Sequence, residues 1–413
     1  MIAVMPVPVL SRCALGSVRS LLAVINACLL ASLLAVLAVP ATWAAENGPR
    51  ISLIRDAEIE TLLRNFATPL YRAAGLDAGL LRIQVVRDGA INAFVTSGNR
   101  MYVHTGLLQQ AGSAGEVIGV LAHETAHVMH ADPVKLPDQM REALLTSIAA
   151  ALIGVAAGVG ARQPEAGMAA MIGGQSMALR RFLSFSRAQE AGADQGGLEL
   201  LARNQWSARG LAAMFDRLKD QELLSVDRQD PYLQSHPLSR ERVAFVTDYV
   251  ARSALRDRAF PAAFESGLQM VKAKLDGFLD APASVLRKYP PTERAAPARY
   301  AMAIAEYRSG RAADALARLD QLIAELPGNP WLRELKGQFL FETGRAREAA
   351  MAIRDAMRVG SEQPLFRLAL ARALVESNDP QLVPRRLRNC SFPSIVTART
   401  RRPGACSGGP GAR

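Results

Sequence analysis

The sequence predicts a mostly α-helical chain with a small β-hairpin or sheet, in which a first globular domain is followed by an α-helical solenoid. Three features carry this expectation: apolar stretches with helical spacing and explicit start signals, one alternating segment folded about a turn, and a 34-residue repeat late in the chain. With 413 residues, of which 50% are hydrophobic, there is apolar material for two or three buried cores.

Residues 1–44 read as a signal peptide. A positive flank at Arg19 precedes a long apolar run that ends in small residues, with cleavage near Ala44 or Ala45. The mature protein is then expected outside the cytoplasm. An uncleaved signal anchor in the inner membrane is the alternative, because the run approaches the roughly 20 residues that span a bilayer. Cys13 and Cys28 lie in this segment and Cys390 and Cys406 in the tail, so no disulfide framework supports the core. The formal net charge of +11 also comes from the ends. Arg12 and Arg19, with Arg385, Arg386, Arg388, Arg399, Arg401, Arg402 and Arg413, leave only about +2 on everything between, too little to drive phosphate-backbone binding. Nucleic acid is therefore excluded as a partner.

Residues 45–285 form the expected first domain. "INAFVTSGNRMYVHTGLL", Ile91 to Leu108, reads as a β-hairpin with its turn on "TSGN". Ser113 and Glu116 have the spacing of a capping box and open a helix through "VIGVLAHETAHVMH". On that helix His123 and His127 stand one turn apart on one face, where two imidazoles can share a zinc ion. Glu124 occupies the adjoining strip, beside the ions' open position, as suits a general base acting on water. His130 lies about 10 Å from His123 along the axis and belongs to no shared site with it. A third ligand is sought in "SFSRAQEAGADQGGLELLA", where Glu190 and Asp194 fall at i, i+4 and small residues between them permit close helix packing. Glu190 is then the third zinc ligand, and Asp194 accepts a hydrogen bond from a ligand histidine's outer nitrogen. A solvated acidic helix face is the competing reading of that pair.

HETAH followed by EAGAD resembles the gluzincin zinc metalloproteases related to the HtpX protease and the CAAX prenyl proteases. The segment around Asn92, Ala93 and Phe94 resembles that family's hairpin before the zinc helix, although "TSGN" replaces the usual Pro-Gly-Gly turn. "SHPLSRERV" resembles its His-Pro segment, with His236 and Arg242 matching. The resemblance implies one Zn2+ per chain on His123, His127 and Glu190, with Glu124 as the base of peptide-bond hydrolysis. An extended substrate would pair with the strand Asn92-Ala93-Phe94. Arg242 or His236 would stabilise the oxyanion, or His236 would swing onto the zinc and close the site.

Leu144 to Ala161 is an apolar stretch with Gly154 and Gly158 in small-x-x-x-small spacing. It is alanine-rich and only weakly hydrophobic, so a helix packed over the site or lying at a membrane surface is expected and not a membrane span. Over residues 286–380, Gly310 and Gly344, Ala315 and Ala349, and Pro330 and Pro364 are each separated by 34, the tetratricopeptide period. A third copy from Pro364 puts Asn378 in the glycine position. Residues 381–413 are basic, lack a pattern and are expected to be disordered. The combination resembles the BepA type, periplasmic proteases that carry such repeats and act in outer-membrane protein quality control. It implies unfolded or misassembled envelope proteins as substrates, and outer-membrane assembly machinery as a partner through the repeats. The alternative is a repeat-based periplasmic chaperone or scaffold whose zinc site is blocked or vestigial.

Overall fold

In Arg82–Val86 (β2) and Arg100–His104 (β4), alternate side chains turn inward, burying Ile83 and Val85 on one strand and Met101 and Val103 on the other. These strands pair in parallel, Leu53–Ile54 (β1) adds antiparallel to β2, and Ala93–Thr96 (β3) adds antiparallel to β4. The sheet order is β1-β2-β4-β3, which leaves β3 as an edge. The expected hairpin is β3–β4: Ala93 faces Val103, Thr96 faces Arg100, and Gly98 and Asn99 turn the chain at φ 79 and 56.

The computed structural model describes residues 52–160, 164–219, 235–360 and 363–378. The segment read as a signal peptide, the basic tail and all four cysteines lie outside these residues.

Helix α1 (Ala57–Ala73) starts at Asp56, whose carboxylate accepts from the Ile59 N–H. It buries Leu63, Phe66, Leu70 and Tyr71 against the first core. After the short α2 (Thr105–Gln110), α3 (Ala114–Met129) begins where Ser113 Oγ accepts from the Glu116 N–H. Glu116 reaches back one residue further than a capping box requires, to the Gly112 N–H at 3.0 Å. Every side chain of α3 from Ala114 to His127 is buried, so this helix is a central rod and not a surface element.

Close neighbours make that burial possible. A Cβ on Gly210 would lie 2.0 Å from the Gly115 backbone, so α6 (Arg209–Leu218) crosses α3 almost backbone to backbone. The long helices α4 (Asp132–Gly160) and α5 (Pro164–Arg203) pack along one another, with Gly174 tight against Ala150. The stretch from Leu144 is thus one limb of this helix pair. Leu144, Leu152, Ile172 and Met177 remain exposed on it, and no described helix is long and apolar enough to cross a membrane. Helix α7 (Arg240–Arg252) is capped by Ser239, and α8 (Ala262–Leu279) follows.

Helix α8 serves two cores. Leu268, Val271 and Leu275 join the first, while Met270 and Ala273 join a second built by α9 (Pro282–Lys288), α10 (Ala296–Arg308), α11 (Ala312–Glu325), α12 (Pro330–Glu342), α13 (Ala346–Val359) and α14 (Pro364–Ser377). Val285, at the boundary expected from sequence, is already in the second core. The repeat period is visible in the backbone: Gly310, Gly344 and Asn378 take φ of 81, 80 and 45 at equivalent helix ends. Between the cores, buried Lys274 of α8 lies 2.7 Å from Asp56 and 3.1 Å from Glu58, and Tyr300 of α10 donates to Glu58 at 3.0 Å. Burial works against the Lys274 charge, but Asp56, Tyr300 and Glu58 outweigh it and raise its pKa well above the usual lysine range. Removing one member of such a buried pair typically costs about 3–5 kcal/mol, because the charge left behind is uncompensated.

Candidate metal centre

The helical spacing of His123 and His127 brings their Nε2 atoms to 3.1 Å, with the rings at 88°. Glu190 enters from α5, with Oε2 3.3 Å from His123 Nε2 and Oε1 3.4 Å from His127 Nε2. His236 arrives from the segment before α7, its Nδ1 3.4 Å from His123 Nε2 and 3.1 Å from Glu190 Oε1. All four side chains are buried, and their candidate ligand atoms lie within 4.8 Å of one another.

The outer faces of the two helix histidines are held by carboxylates. His123 Nδ1 is 3.0 Å from Asp194 Oδ1, and His127 Nδ1 is 2.9 Å from Asp132 Oδ2. An ionised carboxylate only accepts, so His127 Nδ1 donates to Asp132, whereas His123 Nδ1 lies close to Asp194 without the alignment of a hydrogen bond; both Nε2 atoms turn toward the same point beside Glu190. Donor atoms about 3.3 Å apart are the edges of a tetrahedron around an ion at 2.0–2.1 Å, so these residues fit zinc. The electrostatics agree. Burial works against charge on His127, yet Asp132, Glu190 and Glu124 push its pKa up to about 10. Burial likewise opposes charge on His123, and Asp194 and Glu190 still raise it. The Glu190 carboxyl, against its own burial, is held well below the usual range by His236, His123 and His127. The pocket thus demands positive charge, which a divalent cation supplies.

Glu124 is fully buried beside this cluster, and among the described residues neither of its oxygens accepts a hydrogen bond. His236 Nε2 stands 3.4 Å from its Oε1. Arg242 is turned into the framework: Nε and Nη2 fork onto Asp194 at 2.7 and 2.9 Å, while Nη1 bonds the Pro237 carbonyl at 2.7 Å and lies 2.9 Å from Glu190. The Phe215 ring packs under the guanidinium at 5.3 Å. Burial opposes ionisation of Asp194, but Arg242 and His123 lower its pKa.

Of the residues expected to act at the site, His123, Glu124, His127, Glu190, Asp194, His236 and Arg242 meet in this cluster, and the hairpin strand does not. The strand runs along the sheet edge and packs on α3: Asn92 O accepts the His104 N–H at 2.9 Å, Ala93 is buried, and Phe94 stacks on Tyr102. Two features were not read from the sequence. Asp132 follows the zinc helix, and the left-handed Ala131 (φ 56) swings it back onto His127. A histidine at a helix C-terminus with an Asp five residues on is the only signal for it. The tight helix approach is made by Gly196 and Gly197, one turn past the small residues between Glu190 and Asp194. A Cβ on Gly197 would lie 3.1 Å from the His123 nitrogen.

This fold and this cluster belong together in one class: residues 54–250 match Peptidase family M48 and form a domain of that family, and residues 306–358 match the tetratricopeptide repeat. The chain is similar to the beta-barrel assembly-enhancing protease of Yersinia pestis, 26% identical over 319 residues covering 75% of this chain and 63% of that protein. The protein of the same name from Escherichia coli (strain K12) is 26% identical over 308 residues, covering 72% and 61%. A Protease HtpX homolog from Bacillus pumilus is 28% identical over 198 residues, covering 42% and 65%. The chain thus spans less than two thirds of the two beta-barrel assembly-enhancing proteases.

Proposed function

We propose that this chain is a zinc-dependent endopeptidase of the cell envelope that cleaves unfolded or misassembled proteins, which its repeats recruit. The observation that carries the reading is Glu124, a buried carboxyl without a hydrogen bond among the described residues, set beside four converging ligand-type side chains. A purely structural metal site has no use for it. His123, His127 and Glu190 would hold the ion, and zinc there supplies Lewis acidity toward the scissile carbonyl and the attacking water. Glu124 takes a proton from that water on a carboxylate oxygen and delivers it to the leaving amine nitrogen. Asp132 holds the His127 imidazole in the tautomer that presents Nε2, and Asp194 lies against the outer nitrogen of His123. The edge strand Asn92-Ala93-Phe94 receives an extended substrate by backbone pairing, so sequence preference is weak. Cleavage of unfolded casein by the full chain, stopped by a chelator and restored by zinc, is the expected outcome; cleavage that persists without metal would refute the assignment.

The role expected for Arg242 changes. Its guanidinium is committed to Asp194, Glu190 and the Pro237 carbonyl, so we assign it to positioning these groups and not to the oxyanion. His236 stands among the ligand atoms already, where water and substrate would come, and this favours a gate. His236→Ala is then expected to raise casein cleavage about three- to tenfold with zinc retained, since its side chain no longer occupies the open position. A fall in kcat at unchanged KM would instead make His236 a donor to the oxyanion.

The same placement of His236 favours a second reading, a repeat-based chaperone whose metal site is blocked. Absence of cleavage by both the wild type and His236→Ala would support that reading. The name of the Yersinia and Escherichia relatives, beta-barrel assembly-enhancing protease, supports a link to outer-membrane assembly machinery; the tetratricopeptide match supports recognition through the repeats, and the signal-like sequence of residues 1–44 supports a periplasmic location. A membrane-surface contact is supported by the apolar side chains exposed on α4 and α5, among them Leu144, Leu145, Leu152 and Ile172. Co-sedimentation with anionic lipid vesicles, reduced by Leu144→Asp with Leu152→Asp, tests it; sedimentation unchanged by both substitutions would count against it.

A further inference from the structure

Where the first core meets the repeats, a cleft of 610 Å³ opens between α1, α8, the start of α10 and the turn into α12. That volume falls in the range of about 300–1,000 Å³ usual for ligand sites. Leu62, Met270 and Trp331 give it apolar surface from α1, α8 and α12. Asn65 and Ser266 line it as exposed residues, so a chain can enter from solvent.

Its polar groups are of two kinds. The first are carboxamides with one half engaged. Asn329 Oδ1 accepts the Trp331 and Leu332 N–H groups, which leaves its NH2 to donate, while Gln269 Nε2 donates to Glu265 and leaves its Oε1 to accept. A remaining donor and a remaining acceptor match the C=O and N–H of a peptide backbone. The second kind is acidic. Glu58 lines the cleft, and Lys274, 3.1 Å from it, is shared with Asp56 at 2.7 Å, so one ammonium faces two carboxylates. Lys274 and Tyr300 both meet Glu58 at Oε2, and a carboxylate has further lone pairs for a second cation. Among the described residues no lysine or arginine lines the cleft. An anionic ligand has no charge to pair with there, and a cationic one does.

We propose that this cleft binds an extended stretch of polypeptide that sets a large apolar side chain against Trp331 and Met270 and a lysine or arginine two residues away toward Glu58. Residues i and i+2 of an extended chain face the same side, which brings both anchors into one cleft. The inference deepens the reading in which the repeats recruit proteins for cleavage. It adds a preference for positive charge beside apolar residues, which backbone pairing on β3 does not supply.

Eight-residue peptides of Gly and Ser, blocked at both ends and carrying Phe-Ser-Lys, Phe-Ser-Glu or Ala-Ser-Lys at the centre, are titrated by calorimetry into the zinc-loaded full chain. The Glu124→Gln substitution is included to prevent cleavage. The Phe-Ser-Lys peptide is expected to bind with Kd below about 1 mM, and the other two at least about tenfold more weakly. Asn65→Lys brings a cation to the cleft and is expected to weaken the Phe-Ser-Lys peptide at least about fivefold; Ser266→Tyr fills the cleft and should weaken it similarly. Both positions are exposed, so the fold is expected to tolerate the changes. Equal affinity for the Phe-Ser-Lys and Phe-Ser-Glu peptides, no binding of either below about 1 mM, or affinity untouched by both substitutions overturns the inference. Casein cleavage is read separately: a wild type that cleaves nothing sinks the protease reading, and the peptide titration alone decides the cleft.

Discussion

Glu124→Gln is expected to abolish casein cleavage, by at least about a thousandfold, in a protein that still binds about one zinc per chain. Glutamine keeps the shape of the side chain and loses the ability to accept the water proton. Glu124 faces His236 at 3.4 Å and stands outside the contacts among His123, His127 and Glu190, so its amide leaves those donors in place. The substitution also removes one negative charge from a buried pocket, so the fold is expected to survive it. Zinc analysis and a cleavage assay on the same preparation check the prediction. Loss of zinc together with activity would move Glu124 into the ligand set and undo the division of roles.

Glu190→Ala is expected to have the opposite signature, in which the metal itself is lost. It deletes the oxygens lying 3.3 and 3.4 Å from the two helix histidines and also the acceptor beside His236 and Arg242. The remaining imidazoles are neutral ligands, and without the carboxylate the site loses the charge that best matches a divalent cation. Affinity should fall at least about a hundredfold. Because an ion that binds only the folded state stabilises it, a hundredfold loss lowers stability in saturating zinc by up to about 2.7 kcal/mol. Isothermal titration and a thermal melt with and without zinc read both effects. Wild-type zinc affinity in this variant would mean that His236, not Glu190, completes the ligand set.

The parts legible in the sequence were those fixed by local spacing. Ser113 and Glu116 announced the start of α3, the i, i+4 rule placed His123 beside His127, and the 34-residue period placed Asn378 where a left-handed residue is needed. What stayed hidden depends on distant segments meeting. Nothing local to Arg242 says that its fork will close on Asp194, because that contact exists only once α7 lies against α5. The stretch from Leu144 could not be decided from hydropathy alone, since a weakly apolar helix that packs along a partner and one that touches a surface have the same composition.

Metal and base are expected to form one working site. The direct measurement is a titration of zinc into metal-free full chain while casein cleavage is followed. Activity is predicted to rise in proportion to bound zinc and to level off at about one ion per chain, with Glu124→Gln binding the same amount and remaining silent. Cleavage in the metal-free protein, or full zinc occupancy that leaves both the wild type and His236→Ala inert, would contradict it.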